Sequence, residues 1–283
     1  MKRFLSTMTH NWKFAPLNNT SSSPKHPPPT TNGHGQTQTQ TRKLEGIVFD
    51  VDGTLCEPQT YMFSEMRSAL GIAKSQDILE HVYSLPTLEA QDSAMELIRS
   101  IESTAMAEQV AQPGLVQLMS YLDARNIRKG ICTRNFDAPV NNLLTKFLTG
   151  SIFHPIVTRD FRPPKPDPAG ILHIARSWGL VRNAGASEVG LPTDPTTTTE
   201  CQRQEGNDDD DLVQTHTGEE VADASSLIMV GDSIDDMTAG RRAGAKTVLL
   251  VNDVNQHLVD HEHTDLVISR LDELIEILEN GLL

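Results

Sequence analysis

Three cysteines in 283 residues, aromatic side chains at only 5%, and no apolar run approaching the roughly 18 residues that span a bilayer set the first limits. Cys56, Cys132 and Cys201 show neither paired spacing nor a zinc pattern. That argues against a disulfide scaffold and suits a reducing compartment such as the cytoplasm. Acidic residues are missing from 1–44, which carry six basic side chains, and basic ones are nearly missing from 183–224, with eleven acidic and one basic. Over the whole chain 38 acidic side chains face 24 basic ones, for a net charge of −14. Nucleic-acid binders normally show a basic domain or stripe, so no nucleic-acid partner is expected, and no membrane partner either.

The low hydrophobic content of 37% has a simple source, because two polar segments dilute a chain long enough to bury a core. Residues 1–43 read as a disordered tail rich in Ser, Thr and Pro, with Gln and Thr alternating from Gln36 to Thr41. The composition of this tail overlaps with that of a mitochondrial transit peptide, although its prolines and two arginines fit a plain extension as well. Residues 183–224, which contain Thr196–Thr199 and Asp208–Asp211, read as a solvated acidic insertion in a surface loop.

Between these segments short β-branched runs alternate with helical ones. Gly46–Phe49, Gly130–Cys132, Ile156–Val157, Leu227–Val230, Thr247–Val251 and Leu266–Ile268 read as strands. Helices are expected over 61–111, 115–122, 139–148, 168–178, 236–243 and 271–278. Such alternation calls for an α/β fold, a parallel sheet covered on both faces, with ligands beyond the carboxyl ends of its strands.

Four polar clusters follow strands. Asp50-Val51-Asp52-Gly53-Thr54 places two carboxylates in one turn. Thr133, followed by Arg134 and Asn135, ends the second strand, where a lone hydroxyl often caps a helix. Lys165 lies in a proline-rich loop, either as an exposed lysine or as an anion partner on a stiff backbone. Gly231-Asp232-Ser233-Ile234-Asp235-Asp236 sets Asp232 and Asp236 on one side of a nascent helix, where acids also serve as caps.

Taken in order, these clusters strongly resemble the haloacid dehalogenase-like hydrolases, and among them the phosphatases. That family's pattern is D-x-D-G-T, a strand-end Thr or Ser, a Lys, and G-D-x-x-x-D. The stretch from Gly231 through Ala243-Gly244 is similar to the phosphoglycolate phosphatase branch. The resemblance covers residues 44–182 and 225–283. It implies a Rossmann-like three-layer α/β/α fold, with a catalytic core at 44–56 and 113–283 and a small helical cap at 57–112 inserted after the first strand. It further implies a phosphatase that hydrolyses a small-molecule phosphate ester through an aspartyl-phosphate on Asp50. Asp52 would be the general acid and base, a role that favours phosphatase or phosphomutase over dehalogenase. Mg2+ would be held by the Asp50 carboxylate, the Asp52 carbonyl and Asp232, with Asp236 holding a water or steadying the cluster. Asp235 would point elsewhere. Lys165, the Thr133 hydroxyl and the Arg134 main-chain amide would bind the phosphoryl oxygens. In the cap, Arg67, Lys74 and Arg99 are either ligands for a second anionic group or ordinary solvated residues. Two other readings stay open: a phosphomutase acting on a sugar phosphate, and a non-catalytic binding protein on the same fold.

Overall fold

Four buried residues, Gly46–Phe49, form the central strand, and the rest of the architecture is arranged around them. The computed structural model describes residues 12–17, 40–183 and 220–281. The described residues open with β1 (Trp12–Phe14), β2 (Gln40–Arg42) and β3 (Gly46–Phe49), then three helices, α1 (Thr60–Leu70), α2 (Ile78–Ser84) and α3 (Leu88–Ala107). Next come α4 (Leu115–Ala124), β4 (Arg128–Cys132), α5 (Asp137–Phe147), β5 (Ile156–Val157), α6 (Ala169–Ser177) and β6 (Val181–Asn183). The described residues continue with β7 (Glu220–Ala222), β8 (Leu227–Gly231), α7 (Ile234–Ala243), β9 (Lys246–Leu250), β10 (Leu266–Ile268) and α8 (Glu273–Asn280).

Six strands form one parallel sheet in the order β10-β9-β8-β3-β4-β5. Side chains alternate across it, as the two-residue period of a strand requires. Ile47, Phe49, Ile131, Ile228, Val230, Val248 and Leu250 pack with Leu118 and Leu122 of α4, Leu143 of α5 and Leu274 and Leu278 of α8. Val48, Cys132 and Met229 pack instead with Ile171 and Ile174 of α6 and Ala239 of α7. The result is the three-layer Rossmann-like α/β/α fold. From β3 the chain crosses to β4 on one side and β8 on the other, and ligands collect at such a switch point.

The helical stretch expected over 61–111 is three helices rather than one. Asp77 caps α2, its Oδ1 accepting from the amides of Leu79 (2.9 Å) and Glu80 (3.0 Å), and Thr87 caps α3. These helices enclose a separate small core of Met62, Met66, Ile78, Val82, Ala94, Ile98 and Ala105, closed by Phe136 from the sheet domain. Pro168 stands at the N-cap of α6, one position ahead of the expected first turn.

The stretch expected as a tail is interrupted by residues 12–17. β1 pairs in parallel with β2, the Leu17 amide donates to the Leu278 carbonyl (2.9 Å), and Phe14 is buried with Leu44 and Leu278. Phe14 lies in a polar stretch whose few aromatic residues form no extended periodic pattern, so the sequence could not flag it. Phe14→Leu is expected to lower stability by about 1 kcal/mol, read from the urea midpoint, because a well-packed ring is exchanged for a smaller side chain. An unchanged midpoint would mean the ring is not seated. Residues 1–11 and 18–39, the rest of the expected tail, lie outside the described residues.

The expected acidic insertion lies mostly outside them too, since 184–219, with Cys201 and Asp208–Asp211, are not described. Its ends meet as the antiparallel pair β6–β7, and Ala224 is already fully buried in the core.

Candidate active site

Asp50, Thr133 and Asp232 each directly follow a strand, β3, β4 and β8, so the parallel sheet delivers them to one edge. Lys165 reaches the same edge from the loop after β5. It is buried rather than exposed, and its Nζ donates to Asp50 Oδ1 (2.8 Å) and Asp236 Oδ1 (2.5 Å). One oxygen from each of Asp50, Asp232 and Asp236 falls within 4.8 Å of the others, the one such metal-ligand group among the described residues.

Local sequence explains how tightly these acids are set. Gly53 has φ of +76°, and a Cβ there would come within 2.1 Å of Asp232 Oδ2. A Cβ at Gly231 would lie 2.3 Å from the Cβ of Asp236. Ser233 and Asp236 form a capping box at the start of α7, with Asp236 Oδ2 accepting from the Ser233 amide (3.0 Å) and hydroxyl (2.6 Å). Asp236 thus spends one oxygen on its helix and the other on Lys165, which suits it to steady the cluster.

Burial raises the Asp232 carboxyl to about 8, reinforced by the carboxylates of Asp236 and Asp50. Burial also lifts Asp50 to about 6 against the pull of Lys165. At Lys165 burial works downward, but Asp236 and Asp50 outweigh it and hold the ammonium well above its usual range. Two buried acids and one half-buried acid with one ammonium are short of positive charge, and an all-oxygen donor set fits a small hard cation such as magnesium. A test follows from Asp232, whose folded value of about 8 lies above the roughly 3.9 of an unfolded chain. Its contribution to stability is therefore complete below about pH 4 and is lost as pH rises through about 8. In excess chelator, the urea midpoint of Asp232→Asn should gain on the wild type between pH 5 and 8.5. A constant difference would contradict this.

Asp52 is not one of the clustered acids and has partners of its own. Asn135 Nδ2 donates to Oδ2 (2.7 Å) and the Cys56 thiol to Oδ1 (3.6 Å), while burial raises its carboxyl above the ordinary range. Thr133 is not a helix cap, since α5 is capped at Phe136, and its buried hydroxyl accepts from the Asn135 amide (3.3 Å). The Arg134 side chain joins the helical lobe to the sheet domain, donating to Asp77 Oδ2 (2.5 Å) and Asp235 Oδ2 (2.8 Å). Asp235 thus turns away from the cluster, as helical spacing implies.

A cavity of about 360 Å³ opens over these groups, lined by Asp50, Asp52, Thr133 and Lys165 from below and by Phe63 and Arg67 from α1. Of the expected cap cations, Arg67 reaches the cavity, whereas Lys74 is exposed and Arg99 pairs with Glu96 (3.7 Å). Sequence reasoning missed Arg159, buried in the cavity wall, where its Nη2 donates to Glu102 of α3 (2.6 Å). It also missed Asn252, whose Nδ2 donates to Asp232 Oδ2 (3.2 Å).

A family model described as haloacid dehalogenase-like hydrolase matches residues 44–189, more than half of the chain. The chain belongs to that family. A second model, HAD-hydrolase-like, matches residues 210–274. An uncharacterized hydrolase of Saccharomyces cerevisiae is 39% identical over 245 residues, covering 84% of this chain and 93% of that protein. A haloacid dehalogenase-like hydrolase domain-containing protein of Arabidopsis thaliana is 31% identical over 219 residues, covering 74% and 71%. Among solved structures, a hydrolase from Pseudomonas syringae superposes with a TM-score of 0.56 at 21% identity, covering 83% of this chain and 98% of its own. This haloacid dehalogenase-like protein is therefore a hydrolase on the family's Rossmann-like fold. No helix among the described residues is long and apolar enough to cross a membrane.

Proposed function

We propose that this haloacid dehalogenase-like hydrolase is a magnesium-dependent phosphatase acting on a small phosphate monoester. The observation that carries the reading is the unequal treatment of two carboxyls at one cavity. Asp50 faces the Lys165 ammonium, whereas Asp52 is held by the neutral donors Asn135 and Cys56. Environments that separate two carboxyls in this way assign one to the anionic role and the other to proton transfer.

An Asp50 oxygen attacks phosphorus in line, and the bond to the ester oxygen breaks. Asp52 gives its proton to the departing alkoxide. It then takes a proton from the water that attacks the aspartyl-phosphate, so that Asp50 and inorganic phosphate are released. Thr133, the Arg134 amide and Lys165 bind the phosphoryl oxygens. The carboxylates of Asp50 and Asp232 and the Asp52 carbonyl would hold magnesium, which when bound would supply positive charge to offset the repulsion between nucleophile and phosphoryl group. Helices α1–α3 serve as a cap that excludes water, with the Arg134 bridge as one fastening to the sheet domain. A cavity of about 360 Å³ suits a small molecule.

The test is phosphate release from a panel of phosphorylated metabolites and a generic aryl phosphate. Turnover should appear with magnesium and fall by about 10³-fold in excess chelator. Chelator-insensitive turnover would remove the cation from the reading. An isomeric ester in place of free phosphate would make the protein a mutase.

A further inference from the structure

Asp232 is held from a part of the chain that carries none of the four motifs. After β9, residues 252–255 fold into a short loop organised by two asparagine side chains. Asn252 Oδ1 accepts from the amides of Val254 (3.0 Å) and Asn255 (3.2 Å), which makes the other atom of its amide group the donor. That Nδ2 points to Asp232 Oδ2 at 3.2 Å. Asn255 is buried and fully used. Its Oδ1 accepts from the Asn252 amide (2.7 Å), and its Nδ2 donates to the carbonyls of Asp232 (2.7 Å) and Leu250 (3.0 Å).

One residue therefore grips the Asp232 carboxylate while its neighbour grips the Asp232 main chain, and each orients the other. The whole carboxylate also lies close to Gly53, where a Cβ would come within 2.1 Å of Oδ2 and 2.8 Å of Oδ1. Oδ2 is already occupied by Asn252, whereas no hydrogen bond among the described residues reaches Oδ1. A neutral amide suits this task, because it fixes the carboxylate without cancelling the charge a cation needs. An arginine or lysine there would compete with the cation.

We infer that Asn252 and Asn255 are positioning residues for the cation site, fixing Asp232 so that its Oδ1 is directed to a divalent metal. The inference rests on the phosphatase reading only in that Asp232 is taken as a metal ligand.

The experiment is calorimetric titration of metal-free, full-length protein with Mg2+, comparing wild type with Asn252→Ser and Asn255→Ser. Serine at 252 keeps an oxygen for the loop amides but cannot reach Asp232. Each variant should bind Mg2+ about 10–100-fold more weakly. Urea unfolding in chelator identifies the folded variants, and a merely structural role would lower the midpoint without moving the Mg2+ Kd of folded protein. As a measurement free of mutation, the Asn252 side-chain amide signals in the NMR spectrum of wild type should shift with Mg2+ along the calorimetric isotherm. A folded variant with the wild-type Kd, or amide signals that ignore bound Mg2+, would overturn the inference. Failure of the wild type itself to bind Mg2+ would instead remove the cation from the functional reading.

Discussion

Asp50→Asn is expected to lower phosphate release by at least about 10⁴-fold, the scale seen when a covalent nucleophile is removed. The exchange is nearly isosteric, so the amide oxygen it introduces can still accept from the Lys165 ammonium that lies 2.8 Å from Asp50 Oδ1. On the proposed mechanism, what disappears is the anionic oxygen that attacks phosphorus and one carboxylate of the acidic cluster. The fold should not suffer, because burial already raises this carboxyl to about 6 and its ionisation in the cluster is unfavourable. The decisive comparison is single-turnover phosphate release beside a urea melt in chelator. A folded variant with near-wild-type turnover would sink the nucleophile assignment.

Lys165→Met should be the most destabilising single change at the site. Lys165 is 5% exposed, and its ammonium is the cation bonded to both Asp50 and Asp236. Removing one partner of a buried ionic group typically costs about 3–5 kcal/mol, because the charges left behind have no compensation. Methionine fills similar space, so the loss reflects charge rather than a void. The loss should be largest at pH 8 in chelator and shrink towards pH 5.5. The carboxyls at about 6 and about 8 then take up protons, and removing the lysine raises them further. Urea midpoints across that range check this, and a loss independent of pH would point to packing instead. Turnover should fall too, since both Asp50 and the phosphoryl oxygens lose their counter-charge.

The sheet and the motif residues were legible in the sequence for a physical reason. Strands buried on both faces leave continuous apolar runs such as Ile47-Val48-Phe49, and the groups that follow them must lie at the sheet's carboxyl edge. The short spacing from Asp232 to Asp236 likewise announces a helix start, and the capping box bears this out. Arg159, Asn252 and Asn255 left no such trace. Each acts on a partner far along the chain: Asn252 lies 20 residues from Asp232, and Arg159 lies 57 from Glu102. Polar residues in loops have ordinary solvated roles by default, and only folding shows which are enclosed. The three-helix division of 61–111 was hidden because apolar steps of three and four persist across breaks that Asp77 and Thr87 impose by capping.

The seating of Phe14 bears on how the polypeptide can be processed. Its ring belongs to the same core as β3 and α8, and β1 lies alongside β2 just ahead of the central strand. A protease that trimmed the chain beyond Phe14 would strip the protein of a packing residue and leave β2 without its neighbour. Any maturation compatible with this structure must cut upstream of Trp12, however dispensable the surrounding composition makes that region look.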